Sequence, residues 1–145
     1  MTSTSTSKNK NIGTKIFEKL TELGVIKLLE NGKTNSKSET SNFMPLSLDK
    51  IYSDESVTVI ALSHYYKQNG DLMADPDMEI AIHKNGKAEA LTFQQDNFGI
   101  FQQVYDIFPS PKTVKPDLKK QLNDFLNQWL TNCIEQRHSF DSTIH

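Results

Sequence analysis

The chain has 145 residues, one cysteine and a formal net charge of −2, which is enough sequence for one domain with a real core. The lone Cys133 excludes an internal disulfide and a cysteine-based zinc site. No run approaches the ~20 apolar residues of a membrane-spanning helix.

Charge is unevenly spread. Residues 1–41 hold seven Lys and four Glu, whereas residues 42–96 hold four Lys and nine acids. Gripping nucleic acid by its phosphates takes a basic stripe, and the central segment has the opposite sign. Neither a nucleic-acid nor a membrane partner is expected. Lys8 and Lys10 alone make a poor basic arm for a DNA-binding regulator. MTSTSTSKNKNIG lacks the apolar run of a secretory leader, so the expected location is cytoplasmic.

Residues 1–12 are Ser, Thr, Asn and Lys and read as a disordered tail. Thr14 suits the cap of a helix over 15–23, where Ile16, Phe17, Leu20 and Leu23 recur at helical spacing and Gly24 stops it. Residues 25–30 continue as a short helix or extended piece. KTNSKSETSN, residues 33–42, reads as a loop. Residues 43–51 form a weak strand that Pro45 confines to an edge or a start. Residues 57–66 are apolar on both faces and predict a central strand. Residues 71–76 read as a loop, with Pro76 ending any pairing there.

Asn85-Gly86 predicts a two-residue hairpin turn between strands 77–84 and 87–95. In that register Ile80 meets Leu91 and Met78 meets Phe93 on an oily face. On the wet face Glu79 meets Thr92, Asp77 meets Gln94 and, farther out, Asp75 meets Asp96. Residues 99–108 fit both periods, with a strand favoured by β-branched and aromatic content. The clearest element starts at Pro116. There Leu118, Leu122, Phe125, Leu126, Trp129, Leu130, Cys133 and Ile134 make one apolar helical stripe, with Lys119, Lys120, Asn123 and Asn127 pointing away. Residues 138–145 read as a frayed tail, leaving a single domain over 13–137.

NGDLMADPDMEI, LTFQQDNFGIFQQVY and LNDFLNQWL together resemble a family of small bacterial proteins of unknown function, found largely on plasmids and conjugative elements. The resemblance covers residues 60–136. It implies an accessory role in the biology of mobile DNA, and it carries over no catalytic residue.

The candidate binding residues are Asp71, Asp75, Asp77, Glu79, Gln94, Asp96 and His64. As a calcium loop starting at Asp71 the segment fails, since Met73 and Pro76 stand where a ligand and glycine are needed. Asp75, Asp77 and Asp96 suit a hard divalent cation better, with His64 or His83 nearby. A solvated sheet face is the plainer reading of the same acids. His64 reads as a hydrogen-bonded, partly buried residue, His83 as a turn-flanking surface residue and Cys133 as an inert core thiol. Gln94, Gln95, Gln102 and Gln103 suit either ligand binding or exposed strand positions.

The expected architecture is α+β, an antiparallel sheet of three to five strands with the C-terminal helix on one face and an N-terminal helical segment nearby. The expected function is that of a non-enzymatic accessory or interaction protein with a protein partner, no catalytic residues and no cofactor. The alternative is a metal-dependent enzyme acting on phosphodiester-type bonds through Asp75, Asp77 and Asp96.

Overall fold

A computed structural model describes residues 10–140. Seven strands form one antiparallel sheet: β1 (Asn35–Thr40), β2 (Phe43–Ser53), β3 (Val57–Gln68), β4 (Asp71–His83), β5 (Lys87–Ala90), β6 (Thr92–Gln95) and β7 (Ile100–Gln103). Helices α1 (Ile12–Glu22) and α2 (Val25–Glu30) precede the sheet, and α3 (Pro116–Glu135) follows it. The spatial order is β1-β2-β3-β4-β6-β7, with β5 also paired to β4.

The α+β class and antiparallel sheet match expectation, but seven strands exceed the expected three to five. The excess is β1, in a segment read as a loop, and the division of the expected strand 87–95 into β5 and β6; a second segment read as a loop, residues 71–76, lengthens β4. Asn35–Thr40 is polar throughout, yet it pairs with β2 and turns Ser38 inward, where the buried hydroxyl meets His138 Nδ1 at 2.9 Å. Residues 71–76 extend β4 instead of breaking it. Ser63 pairs with Asp77 and Tyr65 with Ala74, so Asp75 and Pro76 share a bulge against His64. A residue without an N–H is tolerated there because the ladder is already interrupted. Pro45 likewise sits beside the β1–β2 irregularity, within a strand that is not an edge.

The central hairpin has a loop one residue longer than Asn85-Gly86 predicts. His83 pairs with Lys87 across a three-residue loop, with Gly86 at φ 88° and its N–H on the His83 carbonyl. Ile80 therefore meets Ala90, not Leu91, and Ile82 meets Ala88. One extra residue at Leu91 then restores the predicted pairing of Asp77 with Gln94. Leu91 lands on the opposite face, buried with Val57, Val59 and Ala81 beneath Tyr105 and Phe108.

The inner face carries Leu46, Leu48, Ile60, Leu62, Met78 and Ile80, which are almost wholly buried against α1 and α3. Phe93 joins them, its ring 5.2 Å from that of Phe125. As expected, β3 is a central strand and α3 covers the oily face. Within α3 two positions differ from expectation. Phe125 is half exposed, whereas Asn123 is buried and its Oδ1 accepts the Ala90 N–H at 2.7 Å. Among the described residues β5 has no strand on its far side, and this side chain closes that edge.

The ends are better packed than their composition suggests. Asn11 caps α1 by accepting the Thr14 N–H at 2.9 Å, so the helix starts before the expected cap Thr14. His138 and Phe140, read as frayed, are buried, and the Phe140 N–H bonds the Leu23 carbonyl. Residues 1–9 and 141–145 of the expected tails lie outside the described residues.

Two histidines meet in the core beneath α3. His64 is 6% exposed and His138 4%, with ring centroids 5.7 Å apart and Trp129 5.4 Å from His64. Burial pushes both below the usual histidine value of 6.5, against the weaker opposing pull of the Pro45 carbonyl and the Asp75 charge on His64. The fold thus holds them neutral, and the unfolded chain takes up protons first as pH falls. Two outcomes follow. The urea midpoint falls as pH drops through 6.5, and His138→Asn shows a shallower fall than wild type. Asn123→Ala, which leaves the Ala90 N–H without its partner, costs about 1–3 kcal/mol in urea denaturation.

Candidate binding face

Residues of opposite parity to the core line the outer face, and the ladders align them in rows. One row runs Ser47, Ser63, Asp77, Gln94, Phe101 across β2, β3, β4, β6 and β7. The next runs Asp49, Ala61, Glu79, with the Thr92 hydroxyl accepting the Glu79 N–H at 3.1 Å. The chain after β7 folds under one end of this face, placing Tyr105 and Phe108 over Val57, Val59, Ala81 and Leu91. The other end stays open and polar.

Asp77, Glu79 and Gln94 come together here as the sequence predicts. Asp77 is half-buried, and burial holds its carboxyl above the ordinary range. The Tyr65 hydroxyl, donating at 3.1 Å, pulls the other way, while the charges of Asp96 and Asp49 add to the rise. Glu79 is raised by burial and by the charge of Asp77. Among the described residues neither forms an ion pair, since every such pair engages other acids.

The remaining candidates disperse. Asp96 accepts from the Gln94 amide at 2.7 Å and the Ala74 N–H at 2.9 Å, and these bonds hold its carboxyl below the ordinary range. Asp75 turns to the Gln95 amide at 2.8 Å. Asp71 stands exposed at the start of β4, opposite Gln68. His64 lies on the core side, its Nδ1 3.0 Å from the Pro45 carbonyl. Among the described residues no three His, Cys, Asp or Glu side chains are placed to hold a metal ion. Cys133 is buried, and burial pushes its thiol up to about 12.

One polar cluster escaped the sequence reading. Glu89 faces His83 Nε2 at 2.7 Å through one oxygen and accepts the Tyr105 hydroxyl at 2.5 Å through the other, with Lys119 Nζ 4.0 Å away. The expected two-residue turn places Glu89 opposite Ile82 on the oily face, which concealed this network. The three-residue loop is the signal that reveals it. His83, read as a bare surface residue, anchors the sheet edge to the segment after β7.

No helix among the described residues is long and apolar enough to cross a membrane. No significant match exists among curated proteins or among solved structures. A family profile spans residues 15–139, nearly the whole described chain. By that match the chain belongs to the family described as a domain of unknown function, DUF6908.

Proposed function

We propose that the chain is a non-enzymatic interaction module, an accessory protein of mobile genetic elements, that meets a protein partner with its open outer face and acidic end. One observation carries this reading. Asp77 and Glu79 are half-buried on an uncovered face, raised by that burial, and without a cation among the described residues. Their charges cost stability as pH rises through the carboxylate range, since the folded state prefers their protonated forms. A surface that bears this cost suits a partner that supplies positive charge. The mobile-element setting comes from the resemblance of NGDLMADPDMEI and its companions.

The metal-dependent reading is less well supported, because Asp75, Asp77 and Asp96 answer to Gln95, Tyr65 and Gln94 respectively. It requires that Mn²⁺ raise the melting temperature and that Asp77→Asn abolish the rise. The interaction reading expects no such shift. It expects the double variant Asp77→Asn, Glu79→Gln to melt no lower than wild type at pH 7. Retention of a partner from host lysate on the immobilised variant then falls about tenfold, equivalent to about 1.4 kcal/mol. A lower melting point with retention unchanged would sink it.

A further inference from the structure

A cavity of about 310 Å³ opens on the outer face, lined by Glu79, Leu91, Thr92, Phe101, Tyr105 and Phe108 among others. We infer that it is a cage for an organic cation, the guanidinium or alkylammonium of a basic side chain on a protein partner, with Glu79 as counter-charge and Phe101, Tyr105 and Phe108 as walls. This rests on the outer-face reading and gives it a chemical handle.

The Glu79 carboxylate is set apart from its neighbours. Asp75, Asp77, Glu89 and Asp96 each accept a hydrogen bond from a side chain. The Glu79 carboxylate has no such donor among the described residues, and the Thr92 hydroxyl beside it accepts the Glu79 backbone N–H. Lys119 is engaged elsewhere, 4.0 Å from Glu89 and 5.6 Å from the Tyr105 centroid. A half-buried carboxylate without a donor calls for one from outside.

The walls determine what kind of donor. Tyr105 is held by its hydroxyl on Glu89, and Phe108 packs 5.7 Å from the Tyr105 ring and 6.2 Å from His83. Phe101 is 59% exposed at the rim. Mg²⁺ and Ca²⁺ need several oxygen ligands, which aromatic and aliphatic walls do not offer. Ring faces attract organic cations, and a guanidinium also satisfies a carboxylate through two parallel N–H bonds. The volume accommodates the end of one side chain, not a large ligand.

The test is a nitrogen-15 NMR titration of the full chain with Nα-acetyl-arginine amide and its neutral isostere Nα-acetyl-citrulline amide. Saturable shifts of the Thr92, Phe101 and Gln103 amides are expected with arginine, and affinity for citrulline about tenfold lower, the scale of one cation–π and ion-pair contact. Glu79→Gln abolishes the preference for arginine, and Phe101→Ala, at an exposed site, weakens binding several-fold with the melting point unchanged. A short arginine-bearing peptide binds more tightly than the blocked amino acid, and equal affinity overturns the assignment to a protein side chain. Equal responses to arginine and citrulline, no saturation, or an unaffected Glu79→Gln overturn the cage. Partner retention that survives Glu79→Gln overturns the cage yet leaves the outer-face reading standing.

Discussion

Ile80 opposite Ala90 and Asp77 opposite Gln94 cannot belong to one uninterrupted ladder, and the residue that reconciles them is Leu91. Side chains alternate strictly along a strand, so a shift of one place exchanges the faces. Before the bulge, the three-residue loop puts Ala88 and Ala90 beneath α1 and α3 and Glu89 outside. After it, Phe93 returns to the core and Gln94 to the outer face. Without the extra residue, either Glu89 or Gln94 would be pressed into apolar packing. The polar outer face exists because the strand steps once.

That step also explains how the small helical layer suffices. The alanines at 88 and 90 leave room for α1 to approach β5 closely, and a Cβ on Gly13 would sit 3.3 Å from the Ala88 carbonyl oxygen. α3 lies farther along the same face and satisfies the Ala90 N–H with Asn123. Two helices thereby cover the inner face and the β5 edge together. No helix among the described residues covers the outer face in the same way. Among the described residues only the segment from Tyr105 to Val114 crosses it, tied back by the Tyr105–Val114 bridge and by Tyr105 on Glu89.

How much of this could be read from residues alone follows from the range of the forces involved. α3 was legible because twenty residues of helical period outweigh any single exception. β3 was legible because both its faces are apolar. Asp77 opposite Gln94 was legible too, though only because two one-residue deviations cancel. The deviations themselves were not, since a two-residue and a three-residue loop both accept Asn85-Gly86, and the choice rests on how well Ala88 and Ala90 fit under α1. β1 was hidden by its polarity, and its partner is set by tertiary pairing. The Glu89 network fell with the register, and Asn123 was assigned outward because helical period cannot foresee a bare strand edge. Of the candidate binding residues, Asp77, Glu79 and Gln94 share one surface, while Asp71 and His64 are near them in sequence alone.

The outer face then poses an energetic question that the inner face does not. Local choices in a protein usually agree with its fold, and departures cluster where function demands them. A solvated sheet face carries Lys among its acids, and the β1 end of this face does so, with Lys37 opposite Ser47 and 3.7 Å from Glu39. The open end of this one carries Asp49, Asp77 and Glu79 within two adjacent rows and no lysine between them. Half-buried and repelling each other, Asp77 and Glu79 oppose folding at neutral pH instead of aiding it. Tyr65 relieves Asp77 in part, through its hydroxyl. Glu79 has no such relief, and it is the one bordered by Phe101, Tyr105 and Phe108. A charge left unanswered beside aromatic walls is poor design for a scaffold, and good design for a surface that a cation completes.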